Sequence, residues 1–268
     1  MLGVRGSTPA PGADFVRYGG HTSCIGVSRS ADEPPTLVLD AGTGLRGLSA
    51  HWSFRPFQGA ILLSHLHWDH MQGIPFFVSG DQKDAEVRLL LPGQLGLTGE
   101  ELMAQSMAPP AFPITPSGLL GDWSFEAIEP GVHAIEGYSV RAAEIRHKGG
   151  RTFGYRVSDG SVDVAYLPDH VAAGPITPAV EALVRGVDLL IHDAQFLEPE
   201  RELADAYGHS TVDDAIGLAR RLEVRRLMLF HHGPGRTDAQ LDAIAESLVP
   251  PIPIDVAREG TVVEVVAW

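Results

Sequence analysis

The chain reads as a layered α/β protein on three observations: short aliphatic runs that stop at polar residues, helical patterns between them, and no internal repeat or polar linker. Continuous apolar runs of this length fit strands covered on both faces. In chain order the runs are TSCIGV at 22–27, TLVLD at 36–40, AILLSH at 60–65, VDVAYLPD at 162–169, VDLLIHD at 187–193 and RRLMLFHH at 225–232. Helical patterns fall at TPAVEALVRG, 177–186, and STVDDAIGLARRLE, 210–223; the second offers Ser210 or Thr211 as N-cap, with acids in its first turn. The segment QSMAPPAFPITPSG, 105–118, holds four prolines that forbid a regular helix and predict a loop, either a surface connector or a flap carrying Phe112. Residues 1–268 are expected to form one domain.

Composition narrows the function. A formal charge of -14, from 34 acidic and 20 basic residues, argues against a broad footprint for long nucleic acid. No apolar run approaches the roughly 18 residues of a membrane span, and the opening MLGVRGSTPAPG has no secretory pattern. The expectation is a cytoplasmic protein with a small anionic substrate and no membrane partner, with a homodimer left open. The single cysteine, Cys24, excludes a disulfide framework and a thiolate-rich metal cluster, so any metal must sit on nitrogen and oxygen.

The strongest chemical signal is SHLHWDHMQG, in which His65, His67, Asp69 and His70 crowd together directly after a strand. On extended backbone alternate side chains share a face, so His65 and His67 can grip one ion. If the chain then turns into a helix, Asp69 and His70 swing toward a second. Imidazole and carboxylate suit zinc, manganese or iron, and one ion needs more than two of them. Further donors are therefore expected at strand ends: His147 closes VRAAEIRH, Asp169 closes VDVAYLPD and His231 closes RRLMLFH, each able to project from the same sheet edge as His65.

With those residues in place, the HxHxDH motif and its later His, Asp and His resemble the metallo-β-lactamase superfamily over nearly the whole chain. The resemblance implies a four-layer αββα sandwich with a dinuclear site at one edge. Carried over position by position, it implies that His65, His67 and His147 hold one divalent ion, that Asp69, His70 and His231 hold the other, and that Asp169 bridges them, the ions being zinc or manganese. Asp40, in LVLDAGTG, matches an aspartate that lies behind the metal loop and orients it.

Within the superfamily the chain is similar to the phosphodiesterase branch of ribonuclease Z and the phosphoribosyl cyclic phosphodiesterases. GVRGSTPAPG, YGGHTSCIGV and GHST at 208–211 carry that likeness, the last implying a catalytic His209. Where the branch has HEA, this chain has HDA, so the shorter Asp193 stands in the position that orients His209. The implied activity is hydrolysis of a small phosphodiester, cyclic ones included, by a metal-activated hydroxide, with Asp69, His209 and Asp193 in catalytic roles. Two dications, two aspartates and a hydroxide leave such a site near a single positive charge, which attracts an anion into an acidic protein. A lactonase or thioesterase of the same fold is the alternative. A tRNA 3′-processing endonuclease is disfavoured, because the interval from His147 to Asp169 leaves no room for a long tRNA-binding arm. His21, His170 and His232 are open between substrate contact and packing; His192 is expected to be buried and hydrogen-bonded, and His51 and His133 to lie in surface loops.

Overall fold

Alternation along the strands builds the core. In the computed structural model, which describes residues 1–248 and 252–267, Leu37 and Leu39 face one way and Val38 the other, and Ala60 and Leu62 oppose Ile61 and Leu63 in the same manner. These strands belong to a sheet of β1 (Ile25–Val27), β2 (Leu37–Leu39), β3 (Gln58–Leu62), β4 (Glu86–Pro92) and β5 (Asp122–Ile128), in that spatial order. Only the β1 and β2 pair is antiparallel.

A second sheet repeats the pattern. It comprises β6 (Gly131–Ile135), β7 (Tyr138–Ile145), β8 (Thr152–Ser158), β9 (Asp163–Leu167), β10 (Leu189–Asp193), β11 (Leu227–Phe230) and β12 (Ile254–Val256), ordered β12-β11-β10-β9-β8-β7-β6. Strands β9 to β12 run parallel, and β6 to β9 pair antiparallel. Its inward residues, among them Val140, Phe153, Tyr155, Tyr166, Ile191, Met228 and Phe230, meet Leu37, Leu39, Ala60 and Leu62 in a buried layer between the sheets. Truncating one such leucine to alanine costs about 2–5 kcal/mol.

Helices cover the outer faces. Leu45 and Leu48 of α1 (Leu45–His51) and Leu102 and Met103 of α3 (Gly99–Ala104) pack on Val38, Ile61 and Leu89. On the other side α4 (Pro178–Val184) and α6 (Val212–Arg221) pack on Leu167, Leu190 and Leu229. The result is four layers, helix, sheet, sheet and helix, as the family resemblance implied. The short α2 (Trp68–Met71), α5 (Arg201–Tyr207) and α7 (Asp238–Ser247) complete the described helices.

Thr211, not Ser210, caps α6: its Oγ1 accepts from Asp214 N, and Asp214 Oδ2 accepts from Thr211 N. Asp213 and Asp214 in the first turn and Arg220 and Arg221 in the last complement the helix dipole. Segment 105–118 is irregular until a single 3-10 turn at Pro116–Gly118, and Phe112 meets Phe76 edge-on at 6.0 Å. Cys24 is buried, and burial pushes its thiol well above the usual range. No described helix is long and apolar enough to cross a membrane.

Candidate metal centre

The expected donors gather at one end of the sandwich, where the C-terminal ends of β2, β3, β7, β9, β10 and β11 lie together. They come from both sheets rather than from one edge. From the first sheet, Asp40 follows β2 and His65 follows β3; His67 is the N-cap of α2, which carries Asp69 and His70. From the second, His147 follows β7, Asp169 follows β9, Asp193 ends β10 and His231 follows β11. Hydrogen bonds join the sheets at this end, among them Tyr155 Oη donating to Leu63 O at 2.6 Å and Phe153 N to Ser64 O at 2.8 Å.

Asp169 sits between two sets of imidazoles. Its Oδ2 lies 3.7 Å from His65 Nε2 and 3.5 Å from His147 Nε2, whereas its Oδ1 lies 3.0 Å from His70 Nε2 and 3.2 Å from His231 Nε2. His67 closes the first set, its Nδ1 3.4 Å from His147 Nε2. Asp69 closes the second, its Oδ2 3.2 Å from both His70 Nε2 and His231 Nε2. Within His65, His67, His147 and Asp169, and again within Asp69, His70 and His231, one donor atom from each residue lies within 4.8 Å of the others.

A second layer fixes these rings. Asp40, fully buried, accepts from Ser64 N (2.6 Å), Ser64 Oγ (2.8 Å) and Tyr166 Oη (2.8 Å), and takes His70 Nδ1 at 2.7 Å. That contact turns His70 Nε2 toward Asp169. His147 is aimed likewise by Gly208 O, 2.7 Å from its Nδ1. Gly208 ends α5 with φ 81°, a left-handed conformation that glycine adopts without strain. Asp40 and His231 also hold positive φ, 56° and 58°, which non-glycine residues keep only where the surroundings enforce it.

His209 stands beside both sets, its ring 4.9 Å from that of His147 and 5.1 Å from that of His231. Its Nδ1 lies 2.8 Å from Asp193 Oδ2. Burial alone would depress His209, but Asp193, with Asp169 and Asp69 further off, outweighs it and raises the group to about 9.

The donor chemistry fits divalent cations. Burial keeps His65, His67 and His147 below the usual imidazole range, hence neutral and free to donate nitrogen lone pairs. Asp69 and Asp169 remain ionised despite burial, because His70 and His231 lie against them. Burial opposes a proton on His70, yet Asp169, Asp69 and Asp40 hold that imidazole well above its usual value, so the cluster as it stands demands positive charge. Buried His65 Nε2, His70 Nε2 and Asp169 Oδ1 have no aligned hydrogen-bond partner among the described residues. Buried polar atoms that converge in this way without partners suit the coordination of a cation.

Several contacts lay beyond sequence reasoning. Ser7 N donates to Asp69 Oδ2 at 2.6 Å. Gly6 lets this segment lie against the site, since a Cβ there would fall 2.4 Å from the His231 ring. Arg5, fully buried, secures the segment by donating to Gly19 O (2.7 Å) and Arg236 O (2.6 Å). Backbone amides of this kind carry no residue signature; the family likeness of GVRGSTPAPG was the one pointer.

The other histidines turn away from the cluster. His170 Nδ1 meets His192 Nε2 at 2.9 Å, and both are buried, as expected for His192. His232 bonds Ala257 O at 2.9 Å and is pushed down to about 3 by burial. His21 pairs with Glu259 at 2.7 Å. His51 is exposed and His133 half-buried, in keeping with a surface position, although His51 is the last residue of α1 and His133 lies within β6 rather than in loops. A cavity of about 500 Å³ opens between the sheets near Tyr138, Val164 and Leu189, and none of its lining residues belongs to the cluster.

The architecture has known counterparts. The chain is 20% identical to a metallo-β-lactamase fold protein of Bacillus subtilis, YhfI, with 98% of each chain covered and a TM-score of 0.73. It is 19% identical to a diphosphatase from the PhnP family, covering 100% of this chain and 98% of that one at a TM-score of 0.64. Among curated proteins, the ribonuclease Z of Shouchella clausii is 28% identical over 214 residues, 64% of this chain and 68% of that protein. The family described as "Beta-lactamase superfamily domain" matches residues 36–232, a span that holds every residue of the cluster. With that match over most of the chain, and a fold that agrees with it, the chain belongs to the metallo-β-lactamase superfamily.

Proposed function

We propose that the protein is a metal-dependent hydrolase of small phosphodiesters. The observation that carries this reading is Asp169 facing both imidazole sets, with the His209–Asp193 pair beside it. His65, His67, His147 and Asp169 would hold one divalent cation, and Asp69, His70, His231 and Asp169 a second, zinc or manganese. Two such cations supply Lewis acidity to phosphoryl oxygens and lower the pKa of water from 15.7 to about 7.

The chain's own residues do the rest. Asp193 holds His209 in one orientation through Nδ1, which leaves Nε2 to face a substrate oxygen. Hydrolysis consumes one water. Its oxygen bonds to phosphorus carrying one proton while its other proton goes to solvent; the bond from phosphorus to the leaving oxygen breaks with its electron pair, that oxygen takes the proton held by His209, and solvent returns a proton to His209. A positioned acid contributes about 10²- to 10⁴-fold. Burial of the cluster excludes bulk water and strengthens each of these contacts.

The ribonuclease Z relatives favour tRNA 3′ processing as a second reading. Against it, the interval from His147 to Asp169 contains the β8 and β9 pair and no arm, and the chain carries a charge of -14. The test is one panel of bis(p-nitrophenyl) phosphate, a nucleoside cyclic phosphate, a tRNA precursor and an acyl-lactone, assayed with zinc and with manganese. Turnover of the small phosphodiesters supports the proposal; cleavage of the precursor or the lactone alone overturns it.

A further inference from the structure

An aromatic shelf leads outward from His209. Phe196 lies 6.0 Å from the His209 ring, and Tyr207 lies parallel to Phe196, 6° between planes and 6.5 Å between centroids. Exposure rises along this line, from buried His209 through half-buried Phe196 to Tyr207, which is 58% exposed. Lys148 Nζ sits 5.8 Å from the Tyr207 centroid and is held there by Ala206 O at 2.7 Å.

The shelf stands on fixed backbone. Phe196 N donates to Ser210 O at 3.3 Å and Val212 N to Phe196 O at 2.9 Å, so the residue is tied on both sides to the segment that carries His209. Tyr207 is the last residue of α5, directly before Gly208, whose carbonyl aims His147. Large aromatic rings held in parallel beside a reaction centre match a flat base whose phosphate lies at that centre.

We infer that Phe196 and Tyr207 stack the base of a nucleotide, so that the phosphodiester handled here has its leaving oxygen on a nucleoside. The assignment of the leaving side rests on the phosphodiesterase reading, because His209 marks that side only if it protonates the leaving oxygen. The acidic surface limits the ligand to a mononucleotide or a short oligonucleotide, since a long strand would meet repulsion beyond the site.

The test is calorimetric binding of adenosine 5′-monophosphate and ribose 5-phosphate, which differ by the base, to the zinc-loaded full chain. The wild type is expected to prefer the nucleotide by about 10- to 100-fold. Tyr207→Ala and Phe196→Leu should collapse that ratio below about threefold, and Tyr207→Phe should restore it. A wild-type ratio near one, or a ratio that Tyr207→Ala leaves intact, overturns the inference. Turnover of bis(p-nitrophenyl) phosphate by the same samples is read alongside. Its absence with the binding ratio intact would overturn the phosphodiesterase reading and the leaving-side assignment, and would leave the base shelf supported.

Discussion

Asp193 reaches His209 with 2.8 Å between Oδ2 and Nδ1, although it is one methylene shorter than the glutamate found in that position of the branch. Backbone supplies the difference. His170 N and Ser210 N also donate to Oδ2, at 3.1 and 3.3 Å, and Gln195 N donates to Oδ1 at 3.1 Å, so the carboxylate has little freedom to turn away.

His209→Ala should therefore retain metal while kcat falls about 10²- to 10⁴-fold on substrates with alkoxide leaving groups, and much less on nitrophenyl esters, whose anions need no proton. A uniform drop below about threefold on both would remove His209 from the reaction. Asp193→Asn removes the carboxylate that holds His209 protonated. The alkaline limb of kcat, which marks loss of that proton, should move to lower pH.

Asp40 should be needed without touching metal. Asp40→Ala leaves buried partners on Ser64, Tyr166 and His70 unmatched, and removal of a buried charged partner costs about 3–5 kcal/mol. In protein that still folds, metal affinity or activity should fall about 10- to 100-fold. Thermal melting together with metal titration separates the two effects, and unchanged values in both would mean that the His70 contact orients nothing.

Elemental analysis of purified protein should find close to two zinc or manganese ions per chain. Chelation should lower Tm, because ions that bind only the folded state stabilise it by mass action. Asp169→Ala should lose occupancy and activity together. At most one ion after reconstitution would reduce the pair of donor sets to a single site.

The His21–Glu259 pair predicts a modest pH dependence of stability. Its hydrogen bond to Glu259 raises His21, and Glu259 is lowered by His21 despite burial. The histidine contribution is complete below about 6.5 and fades as pH rises through its raised value; the glutamate contribution is complete above about 4.5 and fades as pH falls through its lowered value. Both groups are partly exposed, so His21→Gln should lower Tm by about 1–3 °C at pH 6 and by less at pH 9. Equal losses at both pH values would show a packing effect instead.

The donors were legible because each announces itself locally: four in one motif, and three others as polar residues closing apolar runs. The layers were legible too, since strand alternation and helix periodicity are short-range patterns. The partition of the donors between two sheets was not, because a strand end says nothing about which sheet the strand joins. Nor was the Ser7 amide on Asp69, since any residue but proline offers the same group and 62 positions separate the two. Phe196 and Tyr207 carry no signal in the sequence for a similar reason. Single aromatics beside loops are ordinary core or surface residues until the fold lays them parallel.

The segment that seats Ser7 against Asp69 must wait for distant parts of the chain. Gly6 N bonds His232 O, His232 N bonds Val4 O, and Arg5 reaches Arg236 O, so this segment can settle only against residues made much later. A nascent chain halted before residue 231 lacks both His231 and the wall that seats Ser7 against Asp69. Contacts of such separation form slowly, because the intervening chain must close before they reward it. Competence to bind the second ion should thus appear abruptly, once His231 and the segment after it have been made and have seated Ser7 against Asp69.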